Sequence, residues 1–204
     1  MGLLSSRVSI TRYKVEGELQ APVVESVANI LKENAIVDID EGDTEKRVGW
    51  TSFDNPFRPV FENSSFVVGP YLIFSLRIDK KTIPPKIIKK QYETEMANRL
   101  AESGRNYLAR DEKKLIKEEV TRILAIRIPA TPHVYDLIWN YEASLVWFFS
   151  TLASANTELE ELFFHSFNLP LIRLFPYTMA DLLPGLSDKE RDVLATLSPT
   201  DFME

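Results

Sequence analysis

The feature that most restricts the fold of this chain is a change of period in its middle. Apolar residues crowd together over Tyr71 to Ile78, and again over Val134 to Asn140 and Ser144 to Ser150, as they do in strands. Between those runs the spacing lengthens to a helical one. Ile88, Tyr92, Met96 and Leu100 step by four, and Ile116, Val120, Ile123 and Leu124 form a second stripe. Pro84-Pro85 opens the first helix, which reaches about Glu102 and ends at Ser103-Gly104. The second runs from Arg110 to about Ile126, and Pro129 and Pro132 close the region. Strands on either side of a helical pair predict an α+β protein, with small antiparallel sheets flanked by helices and a central basic helical pair.

Four segments follow. Residues 1–76 form an N-terminal α+β region. Val8, Ile10 and Tyr13 suggest a first strand, and Ala21-Pro22 opens a helix to about Asn34 with Val23, Val27, Ile30 and Leu31 on one face. Asp38 to Asp43 is an acidic turn; it lacks the glycine position and distal Glu of a calcium loop, so it reads as a solvated loop. Gly49-Trp50 and Asn55 to Pro59 read as irregular structure around an aromatic anchor, and Phe66 to Val68 pairs with the Tyr71 run through a Gly69-Pro70 turn. Residues 77–128 are the basic helical segment. Residues 129–183 hold a hairpin around Tyr141-Glu142, a helix from Glu158 to about Phe167 capped at Asn156-Thr157, and a strand at Leu171 to Phe175. Residues 184–204 form a polar tail with one short helix near Lys189 to Leu197.

Charge separates the middle from the rest. The whole chain of 204 residues carries −6. Arg77 to Arg127 holds fourteen Lys/Arg and eight Asp/Glu, a net +6, which leaves −12 on the remainder. Arg110, Lys113, Lys114 and Lys117 lie at i, i+3, i+4 and i+7 and so share a helix face. Lys86, Lys89 and Lys90 do the same on the preceding helix, and Lys80 and Lys81 end the strand that leads in. Regularly spaced flexible cations suit a phosphate backbone, where affinity needs no base-reading geometry. The competing reading is a solvated helical pair, with Glu95–Arg99 and Glu118–Arg122 as surface i, i+4 pairs.

Residues suited to other chemistry are few. With no cysteine there is no disulfide framework, thiolate nucleophile or Cys-ligated zinc, which fits a reducing, cytoplasmic setting. His133 and His165 have no second histidine at ligand spacing, so no metal or other cofactor is expected. There is no Gly-x-Ser-x-Gly elbow and no Gly-rich phosphate loop. Glu112-Lys113-Lys114 has the form of a nuclease acid-x-Lys pair but falls on the basic helix, with no Asp-bearing strand just before it, so no catalytic residue is assigned. The N-terminus shows no secretory signal; Gly2 to Ser6 fits a loose myristoylation pattern and reads as an ordinary lead into a strand. Ala143 to Ala153 is too short to span a bilayer, so no membrane partner is expected.

The middle segment resembles the bacterial recombination-associated RdgC family. The residues that carry the likeness are Lys81-Thr82-Ile83-Pro84-Pro85-Lys86-Ile87-Ile88-Lys89-Lys90 and Arg110 to Val120, with Gly49-Trp50 upstream and Trp139 in the following hairpin. The resemblance covers roughly Arg12 to Pro176 and suggests a shortened member lacking the family's C-terminal region. It implies a nucleoid-associated protein that binds DNA without sequence preference, forms a homodimer and restrains a RecA-type recombinase; the family's exonuclease label finds no support in these residues, so a non-enzymatic protein is expected. It also implies that Lys81, Lys89, Lys113 and Lys117 line the DNA-facing wall, with Lys86, Lys90, Arg110 and Lys114 as further cations. The alternative is a protein-interaction module that pairs with a full-length relative or a recombination protein and does not itself bind DNA.

Overall fold

The computed structural model describes residues 2–62, 65–182 and 185–198. Seven strands build one antiparallel sheet: β1 (Thr11–Val15), β2 (Lys46–Thr51), β3 (Val67–Val68), β4 (Tyr71–Lys80), β5 (Thr131–Asn140), β6 (Leu145–Phe148) and β7 (Leu171–Arg173). Their order is β2-β4-β5-β6-β1-β7, with β3 also paired to β4. The helices are α1 (Val23–Glu33), α2 (Pro85–Ser103), α3 (Arg110–Arg127), α4 (Ala153–Phe167), α5 (Pro176–Asp181) and α6 (Asp188–Thr196).

The α+β class holds, but the several small sheets expected from the sequence are one sheet. Strands from both sides of the helical pair join it, because β4 and β5 zip together from Tyr71↔Asn140 to Lys80↔Thr131. The chain therefore leaves the sheet at Lys80 and returns directly opposite, at Thr131. The helical pair is an insertion in the β4–β5 connection, with both its ends rooted at one point.

Alternation along the strands sorts the sheet into two faces. Leu72, Phe74, Leu76, Leu137, Trp139, Val146, Phe148, Tyr13 and Val15 turn to one side, where they pack against Val27 and Leu31 of α1 and Leu159, Phe163 and Phe167 of α4. The rings of Trp139 and Phe163 meet edge to face at 4.9 Å, and those of Trp50 and Phe74 at 5.1 Å.

Three local expectations change. Gly49-Trp50 is not irregular; it lies in β2, laddered to β4 from Lys46↔Lys80 to Thr51↔Ser75. On its other side Trp50 N–H donates to Asn34 O and Ile36 N–H donates to Trp50 O, each at 2.9 Å. That approach is so close that a Cβ on Gly49 would stand 2.6 Å from the Ile36 backbone. The fourth helix begins at Ala153, and Asn156 is a buried residue inside it rather than its cap. Its Nδ2 donates to Leu152 O (2.7 Å) and its Oδ1 accepts from the Tyr13 hydroxyl (2.6 Å). The last strand stops at Arg173 because Pro176 starts α5, a helix the sequence reading lacked. The short C-terminal helix is α6, N-capped by Ser187; the tail residues 184 and 199–204 lie outside the described residues.

Candidate nucleic-acid interface

Local sequence explains why the insertion is a helical hairpin. α2 starts behind Pro84 and stops at Gly104, whose φ of +62° is a left-handed cap that most side chains disfavour. α3 starts where the Glu112 carboxylate turns back to accept the Ala109 N–H at 2.8 Å and Arg105 Nη2 at 3.0 Å. Those bonds, the backbone one foremost, hold the Glu112 carboxyl below the usual carboxylate range. The residue with the nuclease-like spacing is therefore the cap of a helix. Between the helices Ile116, Val120 and Leu124 of α3 and Leu108 of the loop are buried, and Ile88, Tyr92, Met96 and Leu100 of α2 close over them. Arg99 ties α2 to Glu119 at 2.6 Å. α2 has no fully buried residue, so one flank of the pair stays open to solvent.

The hairpin geometry decides where the cations go. Each helix advances about 100° per residue in the same hand. In both, the lysine stripe lies a quarter turn to the same rotational side of the apolar stripe. Two such helices, packed face to face and antiparallel, bring both stripes to one flank of the hairpin. Lys89 of α2 and Lys117 of α3 accordingly line one groove of about 400 Å³, floored by Ile88 and Tyr92.

Lys86, Lys89, Lys90, Arg110, Lys113, Lys114 and Lys117 are all exposed on the two helices, and Lys80 is exposed at the hairpin's root. Among the described residues, two of these make ion pairs, Lys89 with Glu93 at 3.8 Å and Lys114 with Glu118 at 3.7 Å. Both are long and wet, so they hold their lysines weakly. Arg99 and Arg105, by contrast, are taken up by Glu119 and Glu112 within the hairpin. The Glu118–Arg122 pair read from spacing is replaced by Lys114–Glu118. Arg122 instead shares a second groove with Lys114 and Lys117, facing Asp43 and Glu45 of the acidic loop.

Lys81 stands apart. It is 6% exposed, and its ammonium donates to the carbonyl oxygens of Asp40 (3.0 Å), Gly42 (2.7 Å) and Ala125 (2.8 Å). All three of its protons are thereby satisfied. The wall position implied by the family resemblance is a buried pin, whereas the other eight cations are exposed. Asp40 reinforces the same junction, its Oδ1 accepting the Ala130 N–H at 2.7 Å. The turn from Asp38 to Asp43 is thus a clamp on the hairpin's root rather than a free loop.

Among the described residues no group of three or more His, Cys, Asp or Glu side chains is placed to hold a metal ion, and no helix is long and apolar enough to cross a membrane. A basic helical hairpin inserted in an antiparallel sheet is the class of protein these elements define. The family model described as "Putative exonuclease, RdgC" matches residues 9–171, about four-fifths of the chain. The chain belongs to the RdgC family. No curated protein matches it.

Proposed function

We propose that this protein binds DNA without sequence preference through the basic flank of the α2–α3 hairpin, as a nucleoid-associated member of a recombination-related family. The observation that carries the reading is the gathering of Lys86, Lys89, Lys90, Arg110, Lys113 and Lys117 on one flank, exposed and only weakly paired. Cations left free in the folded protein can exchange their counterions for phosphates at no cost in broken ion pairs. The acidic remainder repels the duplex from other faces and favours this approach. A homodimer, a RecA-type recombinase as partner and binding without cleavage belong to the same proposal.

The test is fluorescence anisotropy with a labelled random-sequence duplex. Replacing Lys113, Lys114 and Lys117 together by Glu abolishes binding while the circular dichroism spectrum is unchanged, since all three side chains are exposed. Unchanged affinity in that variant overturns the site. Metal-dependent digestion of the duplex, lost in Glu112→Gln, overturns the non-enzymatic part.

A second reading has an observation of its own. Leu115 and Ile126 are 62% and 43% exposed on the flank of α3 away from the lysines. An apolar stripe there suits a protein contact, the interaction-module alternative. A stoichiometric protein partner with no DNA retention would favour it.

A further inference from the structure

The sheet face turned away from α1 and α4 is covered only in part. At one end the loop after β2 lies over it, Pro56 O accepting from Thr51 Oγ1 and Arg77 Nη1, and the N-terminal segment lies over it where Leu3 N–H donates to Asp136. At the other end the register lines up a row that runs Ile73, Ile138, Trp147, Arg12 across β4, β5, β6 and β1. The next row begins with Tyr71 and ends with Lys14. Tyr71, Ile73, Ile138 and Trp147 are half-buried, whereas their core-side neighbours Leu72, Phe74, Leu137 and Trp139 are fully buried. The Tyr71 and Trp147 rings meet over β5, 5.9 Å apart.

We infer that this open end of the sheet is a stacking platform for single-stranded nucleic acid, with Trp147 and Tyr71 receiving bases and Arg12 and Lys14 holding the backbone. Aromatic faces suit an unpaired base, which offers a π-face whatever its identity, and a duplex cannot present one along its length. Charge selects the occupant. Outside the hairpin segment the chain carries −12, yet the two side chains that border the platform on β1 are both cations. Arg12 is directly opposite Trp147 in the ladder, close enough for a base on the indole to have its phosphate at the guanidinium. Among the described residues neither Arg12 nor Lys14 makes an ion pair; the Arg12 guanidinium donates to Met179 Sδ of α5 at 3.3 Å. The inference shares with the proposed function only the premise that nucleic acid is the ligand, since it uses a different surface and a different contact chemistry.

The protein carries its own reporter. Of its three tryptophans, Trp50 and Trp139 are 0% and 1% exposed, so solvent and ligand reach only Trp147. The experiment titrates oligo-dT of about a dozen nucleotides, a length in the range of known stacking sites, and follows intrinsic fluorescence and anisotropy together. Wild type shows quenched emission on binding. Trp147→Ala weakens oligo-dT binding on the order of tenfold, as loss of one stacked base does, with duplex binding unchanged. Arg12→Glu, an exposed substitution that leaves the platform's packing in place, weakens it likewise. The Lys113, Lys114, Lys117 triple Glu variant retains the quench, so failure of the hairpin site and failure of the platform are separable. The inference is overturned if oligo-dT leaves the emission unchanged, if both single variants bind it as wild type does, or if Trp147→Ala changes only self-association, which would make the face a contact between copies.

Discussion

Lys81 is the residue whose role differs most from its residue type. A lysine next to Lys80 and before Lys86 reads as one more surface cation, and nothing in local spacing separates it from them. Only the fold does, by bringing the carbonyls of Asp40, Gly42 and Ala125 around one ammonium. Lys81→Met keeps the stem and removes the donors, leaving three carbonyls short of a partner. We expect a loss of about 3 kcal/mol in denaturant unfolding, set by hydrogen bonds to a charged group and by desolvated acceptors. A change under about 0.5 kcal/mol, the usual size for a surface substitution, would show Lys81 to be one. Tyr13 is a second buried polar group that local pattern does not disclose. Burial first, and its contact with Glu160 second, push its phenol well above the ordinary value, against the opposing pull of Arg173. A raised folded value means its contribution is complete below the unfolded value near about 10 and is lost only as pH climbs through the higher folded one. Tyr13 should therefore ionise late in an ultraviolet titration taken past pH of about 10, and Tyr13→Phe should remove that late step. Identical titration curves for the wild type and Tyr13→Phe above that pH, apart from the amplitude of one tyrosine in the main step, would contradict it.

At the scale of elements, the helical hairpin was legible and the edge of the sheet was not. α2 and α3 carry long, regular apolar stripes, Pro at one start and Gly at one end, and such signals are local. Their shared cationic flank follows from the stripes plus the antiparallel return. β2 has two charged residues, a glycine and one large aromatic, and its strand character comes from pairing with β4, nearly thirty residues on in the chain. Asn156 misled for a related reason: it favours caps in general, but here Tyr13 from β1 makes it a buried acceptor. The start of α3 yields a test of its own. Because the Glu112 carboxyl is held below its ordinary value, the stability it lends is complete above the unfolded value and drains away as pH falls through the folded one. Helix content of the wild type should thus decline as the pH drops below the usual carboxylate range, and Glu112→Gln should flatten that decline in far-ultraviolet circular dichroism. Parallel curves for the two proteins would show that the cap contributes nothing.

Over the whole molecule, charge is segregated as the elements are. The sheet with α1 and α4 provides the core, and the hairpin adds a small core of its own, rooted at Lys80 and Thr131 and clamped by Lys81. That division lets one flank be selected for cations without disturbing the packing that folds the protein. The net −6 describes the average and conceals the cationic flank of the hairpin. The most direct test of that surface is the salt dependence of duplex binding. Anisotropy titrations of the wild type between about 50 and 200 mM salt should give a log–log slope near −4.5, the value for about five neutralised phosphates. A flat slope, or no binding at the lower salt, would contradict the account, because a flank of free lysines then meets no phosphate backbone.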